Sequence, residues 1–149
     1  MPVPEVSPAR VRPGPYTGAV HVSLVTIVVK DYDQAIDFFT GPMGFDLVED
    51  SPATTNDGRP KRWVVVRPRG AETGLLLAQA DGAEQVASVG HQTGGRVAFF
   101  LKVENFDVAY ARLLAADATF TTAPRDEPYG RVAVFLDIAG NKWDLIGGR

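Results

Sequence analysis

The chain contains one short pattern written twice. Residues 29 to 35 read Val-Lys-Asp-Tyr-Asp-Gln-Ala and residues 103 to 109 read Val-Glu-Asn-Phe-Asp-Val-Ala. The offset, 103 − 29 = 74, holds without a gap. Val29/Val103, Asp33/Asp107 and Ala35/Ala109 are identical, while Asp31/Asn105 and Tyr32/Phe106 are chemically close. An apolar run precedes each copy (22 to 29; 97 to 103) and an amphipathic run follows it. Such a repeat means one supersecondary unit used twice, and two such units can pair and enclose a cavity.

Each copy predicts the same order of elements. Val22 to Val29 is a β-branched run that reads as a buried strand. Asp31 is placed to cap a helix with Tyr32, Ala35, Ile36 and Phe39 on one face, ended by Gly41-Pro42. Strands are expected over Phe45–Val48, Arg62–Val66 and Thr73–Ala78, with a turn at Asp57-Gly58. After a polar linker, 81–95, the second copy gives a strand over Arg96–Val103. Asn105 then caps a helix with Phe106, Ala109, Tyr110 and Leu113 on one face. Strands follow over Thr119–Thr122, Arg131–Leu136 and Lys142–Ile146. The fold expected is α+β, two βαβββ modules (22–80 and 96–147) in one domain, 22–147, behind a proline-rich arm, 1–21.

Composition narrows the function. Net charge is −3, which supplies no basic field for nucleic acid or an anionic membrane. No apolar stretch approaches the ~20 residues of a spanning helix. Prolines 2, 4, 8, 13 and 15 leave no signal-peptide core near the start. Without cysteine there is no disulfide or thiol chemistry, and a cytoplasmic location is expected.

Three further segments carry a family resemblance. Phe38-Phe39-Thr40-Gly41-Pro42-Met43-Gly44-Phe45 resembles the "FY…LGF" segment of the vicinal oxygen chelate superfamily. That superfamily includes glyoxalases, extradiol dioxygenases and bleomycin-resistance proteins. Pro128-Tyr129-Gly130 resembles its "PYG" element. Asp137-Ile138-Ala139-Gly140-Asn141 resembles its "DPxGN" turn, with Ile138 in place of proline. The resemblance covers residues 22 to 147. It implies paired βαβββ modules forming a curved mixed sheet and, in active members, a divalent metal held by His, Gln or Glu on equivalent strands. Carried over by position, those ligands fall on Leu24, Leu75 or Leu76, Ala98 and Asp144. Leucine and alanine offer no donor atom, and a lone carboxylate would not retain a metal. No metal and no cofactor are therefore expected. His21, three before Leu24, and His91, in the linker, form the only histidine alternative.

Strand alternation places Thr26, Phe100 and Ile146 on the same side as Leu24, Ala98 and Asp144. That describes an apolar cavity with a hydroxyl and a carboxylate, suited to a small organic molecule, or else a filled core. Leu24, Thr26, Phe100 and Asp144 form the expected ligand site, with Tyr129 and Arg131 at its mouth. Arg59, Lys61, Arg62, Arg67 and Arg69 read as a solvated face, or as an anion site. Trp63 and Trp143 are core or pocket wall, Trp143 on the side opposite Asp144. The expected function is metal-free binding of a small, partly apolar molecule. The alternative is a metal-dependent lyase or dioxygenase with atypical ligands. A homodimer is expected from the resemblance and from the arm, which could lie across a partner.

Overall fold

The computed structural model describes residues 9–148. The first eight residues of the arm and Arg149 lie outside the described residues. The first module runs β1 (Leu24–Val29), α1 (Tyr32–Thr40), β2 (Asp46–Thr54), β3 (Pro60–Arg67) and β4 (Gly74–Gln79). A short helix, α2 (Ala83–Ser88), lies in the linker. The second module runs β5 (Val97–Asn105), α3 (Phe106–Ala115), β6 (Arg125–Glu127), β7 (Gly130–Leu136) and β8 (Lys142–Gly148). The fold is α+β. Its two four-stranded mixed sheets are ordered β1-β4-β3-β2 and β5-β8-β7-β6. In each, the first and last strands are parallel and the others antiparallel.

The repeat extends into the helices and their packing. Asp31 accepts the Gln34 N–H at 2.8 Å, and Asn105 accepts the Val108 N–H at 3.1 Å. Both caps satisfy a donor that the first helical turn leaves unpaired. The buried helix residues are Tyr32, Ala35 and Phe39 in α1 and Phe106, Ala109 and Leu113 in α3. Each pair is separated by the same offset of 74.

The repeated acid also has a structural role. Asp33 pairs with Arg62 at 3.0 Å, and Arg62 also holds Asp50 at 2.7 Å. Asp107 pairs with Arg131 at 2.7 Å, and Arg131 also holds Asp126 at 3.3 Å. Each guanidinium lies over the ring that opens its helix, Tyr32 at 5.1 Å and Phe106 at 5.4 Å. Arginine's planar fork suits this combination of stacking and paired bonds.

One core joins the modules through the helix-covered faces of the sheets. Phe39 and Phe45 meet Trp143 with ring centroids 5.9 and 6.2 Å away. Arg112 of α3 donates to the Pro42 carbonyl at 2.8 Å. The opposite, open face of each sheet lies outside that core; it carries exposed Thr26 and Phe100 beside buried Val65 and Val132.

Three elements differ from the sequence reading. β2 extends to Thr54 rather than stopping near Val48, since its register with β3 continues through Pro52. The linker contains a helical turn. The strand expected over Thr119–Thr122 is reduced to a single bridge, Phe120 to Phe135, and the regular strand is β6. There the Thr122 hydroxyl takes the Val134 N–H at 2.8 Å, and Pro124 has no N–H to offer a ladder.

Candidate functional site

The open faces are built by strand alternation. In β1, Ile27 and Val29 enter the core while Thr26 is exposed and Leu24 half-buried. The register pairs Thr26 with Leu76, so Leu76 lies on the open face and Leu75 belongs to the core. In β5, Phe99, Leu101 and Val103 pack inward, and Phe100 stands 67% exposed on the open side. In β8, Trp143 and Leu145 are core residues, while Asp144 and Ile146 alternate to the open face.

Asp144 is the chemical centre of the second sheet's open face. Its cross-strand neighbours are Phe100 on β5 and Val134 on β7. Its Oδ1 is sealed from solvent and has no hydrogen-bond partner. Burial pushes its pKa up, and the positive charge of Arg125 partly opposes that shift. Arg125 gives its Nε to Glu127 at 2.9 Å and acts on Asp144 only at longer range. A desolvated carboxylate oxygen lacking a donor is costly and favours an incoming N–H or O–H.

The predicted residues fall into separate groups. Phe100 and Asp144 are direct neighbours. Leu24 and Thr26 lie on the open face of the other sheet. Tyr129 is 64% exposed in the turn before β7. Arg131 is not at a mouth. It lies on the helix-covered side with Ala133 and Phe135, tied to Asp107 and Asp126. Sequence reasoning opened a strand at Arg131 yet set its side chain at the mouth of the site; β7 begins one residue earlier, at Gly130. A side chain on Gly130, at φ +140°, would meet the Gly147 carbonyl oxygen at 2.6 Å. Arg125 and Glu127 were missed because β6 was missed. Their i, i+2 spacing is the signal that a strand reading would have used.

The neighbouring turn is held by Asp137. Its carboxylate accepts from the Ala139 and Asn141 N–H groups, the Asn141 amide and the Trp143 indole, at 2.9 to 3.2 Å. Ile138 is exposed, so the absence of proline there leaves this network intact.

The metal positions do not fit a metal. Leu24, Leu76 and Ala98 have no donor, and the charge felt by Asp144 is a guanidinium rather than a second ligand. His21 and His91 are both exposed. No group of three His, Cys, Asp or Glu side chains among the described residues could hold a metal ion. The basic cluster is mostly ion-paired. Arg59 holds Asp57 and Asp81, Arg62 holds Asp33 and Asp50, and Arg69 holds Asp46.

Comparison with known proteins agrees with this architecture. An uncharacterized protein of Shewanella frigidimarina is 45% identical over 128 residues, 85% of this chain and 90% of that one. TnmS3, an antibiotic binding protein from a Streptomyces strain, superposes with a TM-score of 0.69 at 29% identity. The match covers 90% of this chain and all of TnmS3. A superfamily member from Sphaerobacter thermophilus gives a TM-score of 0.69 at 32% identity, covering 87% and 98% of the two chains. The sequence model of one superfamily matches residues 19–145. With its paired βαβββ modules, the chain belongs to the Glyoxalase/Bleomycin resistance protein/Dioxygenase superfamily.

Proposed function

We propose that the protein binds a small, partly apolar organic molecule without a metal, on the open sheet faces. The observation that carries this reading is the partnerless Oδ1 of Asp144, set between Phe100 and Val134. A ligand with a flat apolar body and a protonated nitrogen satisfies both the ring and the carboxylate. The antibiotic-binding neighbour supports the same class of role.

The site also needs a cover. Within one chain the sheets share a core through their helix-covered faces, so neither open face can fold onto the other. A second copy can supply it, presenting Leu24 and Thr26 opposite Phe100 and Asp144. Exposed Tyr16 and Val20 of the arm and Phe100 on the sheet support such a homodimer. The cysteine-free composition supports a cytoplasmic setting.

The test is a fluorescence titration with 9-aminoacridine, a planar aromatic cation, against wild type and Asp144→Asn. Saturable binding weakened about tenfold in the variant is expected, the cost of replacing a charge-assisted bond with a neutral one. Unchanged affinity together with lowered thermal stability would make Asp144 an internal support and remove it from the site.

A further inference from the structure

A second cleft lies away from Asp144, where β3 and β4 part. The two strands pair only over Val64–Val66 and Leu75–Leu77, although β3 begins at Pro60 and β4 continues to Gln79. The opening has a volume of about 600 Å³; Leu76, Trp63 and the basic residues Arg59, Lys61 and Arg62 line it, and none of Leu24, Thr26, Phe100, Tyr129, Arg131 and Asp144 does. Ladder alternation aims the Arg62 N–H at β4, but the Tyr32 hydroxyl oxygen accepts it instead, at 3.3 Å. A phenol that accepts in this way keeps its own proton to donate. Trp63 forms a wall and is 37% exposed. Lys61, two residues before it, lies on the same side of the strand. Arg59 and Arg62 each hold two carboxylates, whereas Lys61 holds none among the described residues. Across the rim, Arg59 grips Asp81 through two bonds of 3.1 and 2.6 Å, tying the β2–β3 hairpin to the turn before α2. That pair is exposed, so opening it costs little.

We propose that this cleft is a second binding site, taking a planar aromatic carboxylate. The ring lies on Trp63 against Leu76 and Ala78. The carboxylate accepts the Tyr32 O–H at the back, and the Lys61 ammonium attracts it from the mouth. The Arg59–Asp81 pair is a weak clasp over the entrance. Its wall shares the open face that carries Thr26, but it takes no group from the sheet of Asp144.

The probe is 2-naphthoate, followed through the two indole N–H signals of a ¹⁵N-labelled protein. The chain has two tryptophans, and Trp143 is 3% exposed in the core, which makes it an internal control. The Trp63 signal should move saturably while the Trp143 signal stays. Tyr32→Phe should weaken binding about tenfold, the loss of one bond to a charged acceptor. Lys61→Ala, an exposed change that leaves packing intact, should weaken it about threefold. Asp144→Asn should leave the naphthoate affinity unchanged. The proposal is overturned if the Trp63 signal does not saturate, if Lys61→Ala leaves the affinity unchanged, or if Asp144→Asn weakens it.

Discussion

Asp144 and Asp137 are both acids near one end of the second sheet, and their surroundings give them opposite roles. Asp137 is enclosed by donors and supports a turn. Asp144 has an oxygen with no donor, and burial raises its pKa. A carboxyl whose folded pKa is raised favours folding most when protonated, and that contribution fades as pH rises through the folded value. Asp144→Asn should therefore stabilise the empty protein at pH 7, and its advantage should shrink as the pH falls toward 4. Thermal melts of the two proteins across that range check the sign. A variant less stable than wild type at pH 7 would show that the carboxylate already has a partner. The open-face position of Asp144 was legible from alternation alone, because Trp143 beside it had to face the other way. The position of Arg131 was legible too, in the spacing Arg131, Ala133, Phe135, but assigning Arg131 to the mouth of the site concealed it. The missing donor at Oδ1 could not be read from sequence, because it depends on where Arg125 spends its hydrogen bonds.

Helices α1 and α3 are the most legible elements, because cap, buried face and first-turn acid all recur at one offset. Asp31→Ala and Asn105→Ala should each cost about 0.5–2 kcal/mol in denaturant unfolding. Equal losses at the two sites are the signature of equivalent caps, and no loss at either would undo the capping account. Phe39→Ala removes a fully buried ring that contacts Phe38, Phe45 and Trp143, and should cost about 3–5 kcal/mol. The strand before β7 was illegible for a physical reason. Thr119 to Thr122 has strand-like composition, but the Thr122 hydroxyl occupies a backbone donor of β7. Hydrogen bonds of that kind are invisible to periodicity. The extension of β2 was hidden by Pro52, a residue that marks a strand edge more often than its interior.

The molecule as a whole leaves two sheet faces uncovered on opposite sides of a shared core. The arm between Ala9 and Ser23 is exposed throughout most of its length, anchored at its base where the Thr73 hydroxyl donates to the Val22 carbonyl at 2.6 Å. The free edge of β1 is blocked by Gln92, whose side chain takes the Val28 N–H and donates to the Thr26 carbonyl, both at 2.9 Å. That protection discourages open-ended strand pairing and favours association through faces and arm. Removing residues 1–21 should shift the assembly toward monomer in analytical ultracentrifugation; an unchanged dimer would take the arm out of the interface. The central claim is a metal-free ligand site completed by a second copy. Native mass spectrometry of the purified protein tests it most directly, because one spectrum reads assembly and metal content together. A dimer mass with no stoichiometric metal is expected. A monomer at micromolar concentration would contradict it, and so would one Zn, Ni, Mn or Fe per chain that is lost on replacing His21 or His91.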